Sequence, residues 1–290
     1  MRLHLVDGTY ELFRAHFSKR PPRTDPQGRD VKATVGLVAS LLQLVADVDE
    51  QVTHLAVAFD NPIESFRNEL FPPYKDSSGV DPDLLAQFDG AERATAALGI
   101  AVWSMAEHEA DDAMATAAAR FADEVDQVRI MTPDKDLGQA VRGQQIVQID
   151  RLRERTYDEE GVLDRLGVPP TSVPDLLALV GDTADGIPGL PGFGAKSAAA
   201  LLRRYERLDD IPLDGDWEVS VRGAPRLAAT LTERLDDALL YRRLATLVTD
   251  VPLPHGLEDL AWAGVPRVRF LGWCDEVGVD TLRDRPTRWG

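Results

Sequence analysis

Residues 55–60 read L-A-V-A-F-D, a short apolar run that ends in an aspartate, and residues 3–7 read L-H-L-V-D with the same ending. Short runs rich in Val, Ile and Leu are typical of buried strands. Such runs cover residues 2–6, 54–59, 99–103, 127–131 and 145–149, and helical patterns cover residues 33–48, 84–97, 110–124 and 134–141. Because strands and helices alternate, we expect an α/β fold with a central, mostly parallel sheet flanked by helices.

Acidic residues gather where these strands end. Asp7 and Asp60 directly follow apolar runs, and Asp134 follows the fourth run, so we expect all three at the carboxyl edge of the sheet, where functional groups lie in such folds. Three motifs, H-E-A-D-D, M-T-P-D-K-D and V-G-D-T-A-D-G, contain further carboxylates. The full set is Asp7, Asp60, Glu109, Asp111, Asp112, Asp134, Asp136, Asp182 and Asp185.

Carboxylates in one cleft repel one another and raise each other's pKa unless a cation neutralises them. Hard divalent ions take oxygen ligands, and Mg²⁺ suits a site that substrate phosphate and water complete. The acidic set therefore predicts a metal pocket that acts on a phosphate ester. Taken alone, H-E-A-D-D would also fit the preference for acidic groups in the first turn of a helix.

The composition limits the alternatives. With 290 residues and 44% hydrophobic content, the chain can form one large domain or two smaller ones. A net charge of −17 disfavours phosphate binding by the molecule as a whole, although part of the excess lies in the predicted metal pocket. The single Cys274 cannot form an internal disulfide, and the five histidines show no zinc-ligand spacing. No apolar run approaches the length of a membrane span.

After residue 170 the pattern becomes helical, with helices expected near 173–180, 224–232 and 233–247. A Gly/Pro-rich hairpin, G-L-P-G-F-G at 189–194, leads into a helix that starts near Ala195. Gly192 and Gly194 let backbone amides approach a phosphate, the helix N-terminus favours an anion, and Lys196 adds a positive charge. This predicts a helix-hairpin-helix contact with a nucleic-acid backbone; the alternative is a tight turn between packed helices.

In their order and spacing, these motifs resemble the 5′ nuclease family, which comprises flap endonucleases and the 5′-to-3′ exonuclease domain of bacterial DNA polymerase I. The resemblance runs from L-V-D-G through A-F-D, S-F-R-N-E-L, Y-K, E-A-D-D, T-P-D-K-D-L and G-D-x-x-D-x-I-P-G to G-F-G-A-K-S-A. No polymerase sequence follows, so the chain resembles a free-standing bacterial member. The family implies a PIN-like nuclease core over residues 1–170, with an arch segment at about 72–92, and a helical DNA-binding region over residues 171–290 with its hairpin at 189–197.

The resemblance also implies the metal ligands. One metal would lie among Asp7, Asp60, Glu109 and Asp111, with Asp112 close by. A second would lie among Asp134, Asp136 and Asp185, with Asp111 shared and Asp182 helping directly or through water. The expected ions are Mg²⁺ or Mn²⁺, two or more per site, and the family commonly holds a K⁺ in the hairpin.

Catalytic and DNA-binding residues follow from the same resemblance. Lys75 of P-P-Y-K matches a lysine that approaches the scissile phosphate, and Arg67 of S-F-R-N-E-L matches a basic partner near it. Tyr10 and Arg14 match residues that meet the DNA close to the cleavage point. The alternatives are a solvated loop cation for Lys75 and packing on the sheet for Tyr10; the role of Lys135 is left open.

The segment after Y-K departs from the family pattern. It reads D-S-S-G-V-D-P-D-L-L-A-Q-F-D-G at 76–90, with four aspartates and no Lys or Arg before Arg93, whereas the family usually has basic residues there. Because like charges repel, we expect weak flap binding and steep salt dependence. The Ser, Gly and Pro content predicts a mobile arch.

The function that the resemblance implies is structure-specific hydrolysis of DNA at 5′ flaps, nicks and 5′ ends by a two-metal mechanism, in Okazaki fragment processing and repair. RNA–DNA primers are further candidate substrates. We expect a monomer in the cytoplasm, associated with the nucleoid and not with a membrane. A PIN-type ribonuclease would share the carboxylate-edged sheet but lack the arch-length insertion and the hairpin. A non-catalytic structure-specific DNA-binding protein would keep G-F-G-A-K and lose acidic residues.

Overall fold

Strands and helices alternate along the first part of the chain in the order that the apolar runs predict. A computed structural model describes residues 1–290. By their contacts the residues form two units: unit 1 is Met1–Ser65, Ser77–Thr132 and Thr249–Gly290, and unit 2 is Phe66–Asp76 and Pro133–Val248. The sequence-based boundary at residue 170 falls inside unit 2, because that boundary followed chain order and the units follow contacts in space.

Strands and helices are numbered along the chain. The strands are β1 Arg2–Asp7, β2 His54–Asp60, β3 Ala101–Met105, β4 Gln127–Met131, β5 Ile146–Asp150 and β6 Arg155–Tyr157. The helices are α1 Gly8–His16, α2 Lys32–Ala46, α3 Phe66–Leu70, α4 Pro82–Leu85, α5 Phe88–Ala97, α6 Ala110–Phe121, α7 Glu159–Leu166, α8 Val173–Val180, α9 Ala195–Tyr205, α10 Ala224–Glu233, α11 Leu235–Ala245 and α12 Arg267–Val277. None of the helices is long and apolar enough to cross a membrane.

In unit 1, the strands β1 to β4 pair in parallel in the order β3-β2-β1-β4. The register places Leu5 of β1 opposite Ala56 of β2 and Ile130 of β4, and all three side chains are fully buried. Near-continuous burial is typical of parallel strands that are covered on both faces. This pairing brings the carboxyl ends of β1 and β2, and hence Asp7 and Asp60, to the same edge.

Helix α6 packs against this sheet through small side chains. Ala113, Ala117 and Ala118 are fully buried, and alanine is the strongest helix former. The first turn of α6 carries the H-E-A-D-D motif, so packing α6 on the sheet also fixes where that motif lies.

Unit 2 combines one antiparallel strand pair with helices. Strand β5 pairs with β6 so that Ile149 lies opposite Thr156. Helices α8, α9 and α11 share an apolar core that includes Leu177, Leu201 and Leu244. No strand follows Tyr157, so the helical character predicted beyond residue 170 is confirmed.

The structure refines several predicted elements. All five predicted strands are present, and the helices predicted at 173–180 and from Ala195 are confirmed. The pattern at 84–97 forms two helices, α4 and α5, and the pattern at 134–141 forms a 3₁₀ helix, Lys135–Ala140. The helices α1, α3 and α7 and the strand β6 were not predicted. Each has fewer than ten residues, too short for a clear hydrophobic period.

The segment expected to form a mobile arch is packed over its second half. Leu84 and Phe88 are buried, and Gln87 Oε1 accepts hydrogen bonds from the backbone N–H groups of Ala33 (3.0 Å) and Thr34 (3.1 Å) in the first turn of α2. Leu84, Phe88 and Ala91 recur at helical spacing and are buried together, which gives this half an apolar face. The packing from Pro82 onward therefore differs from the expected mobility, whereas Ser78 and Gly79 are exposed.

Candidate metal centre and nucleic-acid contacts

Asp7 ends β1 and begins α1. One of its oxygens, Oδ1, accepts a hydrogen bond from the Tyr10 backbone N–H (2.7 Å), as an N-cap residue does. The other, Oδ2, accepts from the Thr132 hydroxyl (2.9 Å). Both oxygens of this buried carboxylate are thus oriented by neutral donors.

Asp60 links the end of β2 to the start of α6. Its Oδ1 accepts from the Ala110 backbone N–H at 2.7 Å, and its own N–H donates to the Thr9 hydroxyl at 2.8 Å. Since a helix N-terminus presents unpaired N–H groups and favours an anion, this contact stabilises the charged carboxylate. The same helix start carries Glu109 and Asp111, so the bond holds these acidic groups close to Asp60.

Glu109 is the N-cap residue of α6 and is buried. Its Oε1 accepts from the Ser65 hydroxyl at 2.7 Å. Asp112 is fully buried and its Oδ2 accepts from the Glu109 N–H at 3.0 Å, which completes a capping box. Asp112 therefore helps to fix Glu109, and Asp111 lies half-buried one residue before it.

Unit 2 brings together three of the predicted ligands. Asp136, Asp182 and Asp185 each offer a carboxylate oxygen, and these three atoms lie within 4.8 Å of one another. Asp134 supports the group, because its Oδ1 accepts from the Asp136 N–H at 3.0 Å. Asp182 begins a loop that ends at Ile187. Two backbone hydrogen bonds close this loop: the Asp182 N–H donates to the Ile187 carbonyl at 2.8 Å, and the Ile187 N–H donates to the Asp182 carbonyl at 2.7 Å.

The electrostatics of this cluster call for a cation. Burial, together with the charges of Asp134 and Asp185, raises the pKa of Asp136 well above its ordinary value. Asp136 is only 5% exposed, and its Oδ1 is buried without a hydrogen-bond partner. A hard divalent ion would supply the missing partner, and three carboxylate oxygens at this spacing suit such an ion. The residues present therefore fit a divalent metal ion.

Two lysines contact the cluster. Lys135 Nζ is hydrogen-bonded to Asp182 Oδ2 and lies 3.7 Å from Asp136 Oδ1, and Lys75 Nζ lies 3.2 Å from Asp185 Oδ1. Although burial lowers it, the attraction of Asp136 and the hydrogen bond to Asp182 raise the pKa of Lys135 above its ordinary value. Lys135, whose role the sequence left open, is therefore a cation held among the acidic groups.

The position of Lys75 is fixed through the backbone. The Lys75 N–H donates to the Asp185 carbonyl at 3.0 Å, and Asn68 Nδ2 donates to the Lys75 carbonyl at 3.0 Å. Gly186 follows Asp185 with φ +74°, and a Cβ there would lie 2.5 Å from the Pro73 carbonyl oxygen. Only glycine fits this approach, so Asn68 and Gly186 are positioning residues that the sequence reasoning did not identify.

Arg67 is used within unit 2, and its predicted role near the scissile phosphate stays a prediction. It is 1% exposed, its Nε donates to the Leu244 carbonyl at 2.7 Å and its Nη2 to the Thr246 carbonyl at 3.1 Å. These carbonyls end α11, where such groups lack helical partners and a cation is favourable. The guanidinium thus caps the C-terminus of α11. Its partners lie 177 and 179 positions along the chain, beyond the reach of any local motif.

The hairpin has the geometry that its glycines predict. Gly189 (φ +68°) packs so closely on the end of α8 that a Cβ would lie 2.5 Å from Val180 and Gly181 backbone atoms. Gly192 (φ +90°), Gly194 and Lys196 are exposed, and Gly194 is the N-cap residue of α9. An exposed helix start with a nearby lysine suits a backbone phosphate.

Tyr10 and Arg14 both lie on α1, four residues apart and therefore on one face. Tyr10 is half-buried. Arg14 is paired with Glu11 and lies 2.9 Å from the Ser40 hydroxyl of α2, so part of its binding capacity is used within unit 1. Their contact with DNA stays a prediction.

A carboxylate-edged parallel sheet, a cluster of aspartates and a glycine-rich hairpin are together typical of metal-dependent nucleases that act at 5′ ends. Two family models match the chain: the 5′-3′ exonuclease N-terminal resolvase-like domain over residues 2–167 and the 5′-3′ exonuclease C-terminal SAM fold over residues 168–267. The chain belongs to the 5′-3′ exonuclease family, and the family predicted from the motifs is confirmed.

Curated relatives include two kinds of protein. A 5′-3′ exonuclease of Aquifex aeolicus is 31% identical over 259 residues, which cover 89% of this chain and 86% of the relative. DNA polymerase I of Pseudomonas aeruginosa is 35% identical over 294 residues, which cover 95% of this chain and 31% of the relative. The chain thus spans about a third of the length of the DNA polymerase I relatives that it matches.

Solved structures have the same fold. The T5 5′-exonuclease with bound zinc aligns with a TM-score of 0.65 and 19% identity, covering 84% of this chain and 89% of that one. The catalytic core of Rad2 in complex with DNA substrate aligns with a TM-score of 0.60 and 16% identity, covering 97% and 87%. The predicted mostly parallel sheet with flanking helices is confirmed.

Proposed function

We propose that this chain is a structure-specific 5′ nuclease that hydrolyses phosphodiester bonds of DNA at 5′ flaps, nicks and 5′ ends. The observation that carries the proposal is the cluster of Asp136, Asp182 and Asp185, in which a buried carboxylate oxygen lacks a hydrogen-bond partner. Membership of the 5′-3′ exonuclease family supports the same reaction.

The residues divide the work of catalysis. A bound divalent cation, Mg²⁺ or Mn²⁺, would supply an activated water and stabilise charge on the leaving oxygen. Asp136, Asp182 and Asp185, with Asp134 in support, would hold this metal in unit 2. In unit 1, hydrogen bonds orient Asp7, Asp60 and Glu109 as further metal ligands, and Asp111 belongs to the same group.

Lys75 offsets charge on the reacting phosphate. It can do so because its backbone fixes it beside Asp185 and its side chain is still about a quarter exposed (24%). Preorganised cations of this kind stabilise the transition state without reorganising during the reaction. The amides around Gly192 and Gly194 and the side chain of Lys196 hold the DNA backbone, which positions the substrate without reading its sequence. A K⁺ bound by hairpin carbonyls would strengthen this contact.

The biological setting follows from the substrate. A nuclease for 5′ flaps and nicks serves Okazaki fragment processing and repair, with RNA–DNA primers as a related substrate. It acts as a monomer in the cytoplasm, in association with the nucleoid. The DNA complexes of structurally similar proteins support DNA as the partner.

The test is cleavage of a 5′-labelled flap duplex in Mg²⁺ or Mn²⁺ by the native protein, by Asp136→Asn and by the native protein with EDTA. We expect cleavage near the flap junction that is lost in the variant and in the chelator. Asp236→Asn, at an exposed position of α11, is the matched control and should cleave normally. Binding without cleavage under every metal condition would favour the non-catalytic reading, and preferential cleavage of RNA would favour a PIN-type ribonuclease.

A further inference from the structure

Lys135 lies between Asp134 and Asp136 in the sequence, and its ammonium lies within the acidic cluster of unit 2. Its ammonium is hydrogen-bonded to Asp182 Oδ2 and lies 3.7 Å from Asp136 Oδ1. That Asp136 oxygen is the buried atom without a hydrogen-bond partner. The ammonium therefore lies beside two of the three oxygens that would bind a metal ion.

The charges around the cluster show what the ammonium does. Four aspartates, at positions 134, 136, 182 and 185, lie close to two lysines, at positions 75 and 135. Buried carboxylates that lose a charged partner are strongly destabilising. Lys135 contacts two of the three clustered carboxylates and Lys75 contacts the third, so the lysines compensate the cluster when metal is absent.

An ammonium and a divalent cation repel each other strongly at a separation of about 4 Å in a partly buried site. The two cations therefore cannot bind Asp136 and Asp182 side by side without a large energetic cost. The flexible four-carbon stem of lysine allows the ammonium to leave, because 38% of the side chain is exposed to solvent.

We propose that Lys135 is a built-in competitor of the catalytic metal, which pairs with Asp182 and Asp136 in the metal-free protein and must release them before a divalent ion binds. This inference rests on the metal site of the proposed function. It assigns Lys135 two effects: the folded protein tolerates the absence of metal, and the cluster binds metal more weakly than its carboxylates alone would.

The test is Mn²⁺ binding without DNA, followed by electron paramagnetic resonance of free Mn²⁺. The variants are Lys135→Met, which removes the charge and keeps the length, and Lys135→Arg, which keeps the charge. We expect Lys135→Met to bind Mn²⁺ roughly tenfold more tightly than the native protein, and Lys135→Arg to bind within about twofold of it. Lys19→Met, at an exposed position of unit 1, should leave binding unchanged.

Asp136→Asn separates failure of this inference from failure of the metal site. If Asp136→Asn weakens Mn²⁺ binding and Lys135→Met leaves it unchanged or weaker, competition by Lys135 is refuted and the metal site stands. If Asp136→Asn also has no effect, the cluster is not the metal site and both proposals are overturned.

A second measurement needs no variant that could misfold. The chain has only five lysines, so the side-chain ¹⁵N resonances of labelled native protein can be resolved and that of Lys135 assigned. Titration with diamagnetic Mg²⁺ should shift the Lys135 resonance to the position of a solvated ammonium and leave that of Lys19 in place. A Lys135 resonance that stays constant while Mg²⁺ saturates the cluster would overturn the proposal.

Discussion

The two units hold their predicted metal ligands by different means. In unit 1, hydroxyls and backbone amides orient the carboxylates: Thr132 and Tyr10 bond Asp7, Ala110 bonds Asp60, and Ser65 bonds Glu109. In unit 2, lysine ammonium groups contact Asp182, Asp136 and Asp185. Neutral donors fix geometry without cancelling charge, whereas the two lysines offset negative charge and Lys135 competes with a metal. Buried carboxylates that would bind a metal can therefore be held in place in two ways, by neutral hydrogen-bond donors or by ammonium groups.

The largest effect is expected at Lys75 of unit 2. Lys75→Met should lower kcat by about a thousandfold with little change in KM, because a preorganised cation acts mainly on the transition state. Single-turnover cleavage of a flap duplex measures it. Lys75→Arg keeps a charge and should recover part of the rate. A normal rate in Lys75→Met would show that Lys75 only compensates Asp185.

Arg67 tests whether every cation in the sequence motifs of unit 2 serves catalysis. Arg67→Met leaves the Leu244 and Thr246 carbonyls without their charged donor and should lower the free energy of unfolding by about 3 kcal/mol. Urea denaturation measures the loss. Arg204→Met, which removes an exposed ion pair with Glu218, should change stability little. Unchanged stability with a reduced kcat would show that Arg67 acts on the substrate and not on the stability of unit 2.

In unit 1, the contribution of Glu50 to stability depends on pH, because hydrogen-bond partners hold its side chain in the charged form. Burial raises its pKa, but hydrogen bonds from His4 and Arg129 outweigh this and hold the pKa at about 2, below the ordinary 4.5. A depressed pKa gives stability above pH 4.5 that is lost as the pH falls towards 2, here about 3 kcal/mol.

We therefore expect Glu50→Gln to be less stable than the native protein at pH 7, and the gap to narrow as the pH falls from 4.5 towards 2. Urea denaturation across this range measures it. Glu160→Gln, at an exposed position of α7, should show no comparable gap. A gap that is constant with pH would mean that Glu50 contributes by packing and not by its charge.

The smallest effect is expected for the hydroxyls of unit 1. Ser65→Ala removes the donor to Glu109 and should lower cleavage activity by about tenfold, as outer hydrogen bonds to metal ligands commonly do. Ser104→Ala, at an exposed position of β3, is the matched control. If Ser65→Ala weakens activity as much as Lys75→Met, the neutral donors matter as much as the lysines and the contrast between the units disappears.

Local patterns carried much of the prediction. The positions of Asp7 and Asp60 at the ends of β1 and β2 follow from apolar runs that stop at an aspartate, and the hairpin follows from the positions of its glycines. Both depend on backbone preferences that a few neighbouring residues determine. This is why the strands, the helical region and the sheet edge could be predicted.

Contacts between distant residues were not accessible from the sequence. Arg67 meets carbonyls 177 and 179 positions away, Ser65 meets Glu109 44 positions away, and Lys135 meets Asp182 47 positions away. A basic residue in a motif gives no signal of whether it will face a phosphate or a helix end. The packed half of the arch was missed because composition suggested mobility, while the burial of Leu84 and Phe88 depends on their place in unit 1.

Each unit is built from segments that are far apart in the chain, and this affects how the protein folds during synthesis on the ribosome. Unit 2 needs Phe66–Asp76, which leaves the ribosome well before Pro133–Val248, and unit 1 needs Thr249–Gly290, which follows both segments of unit 2. Nascent domains tend to fold as their last contributing residues emerge. Tyr74 is buried in the unit 2 core, so its side chain stays exposed to solvent during synthesis until its packing partners have been made. Neither unit can complete its fold before its later segment has been synthesised. A premature stop before residue 249 would leave unit 1 without its last segment.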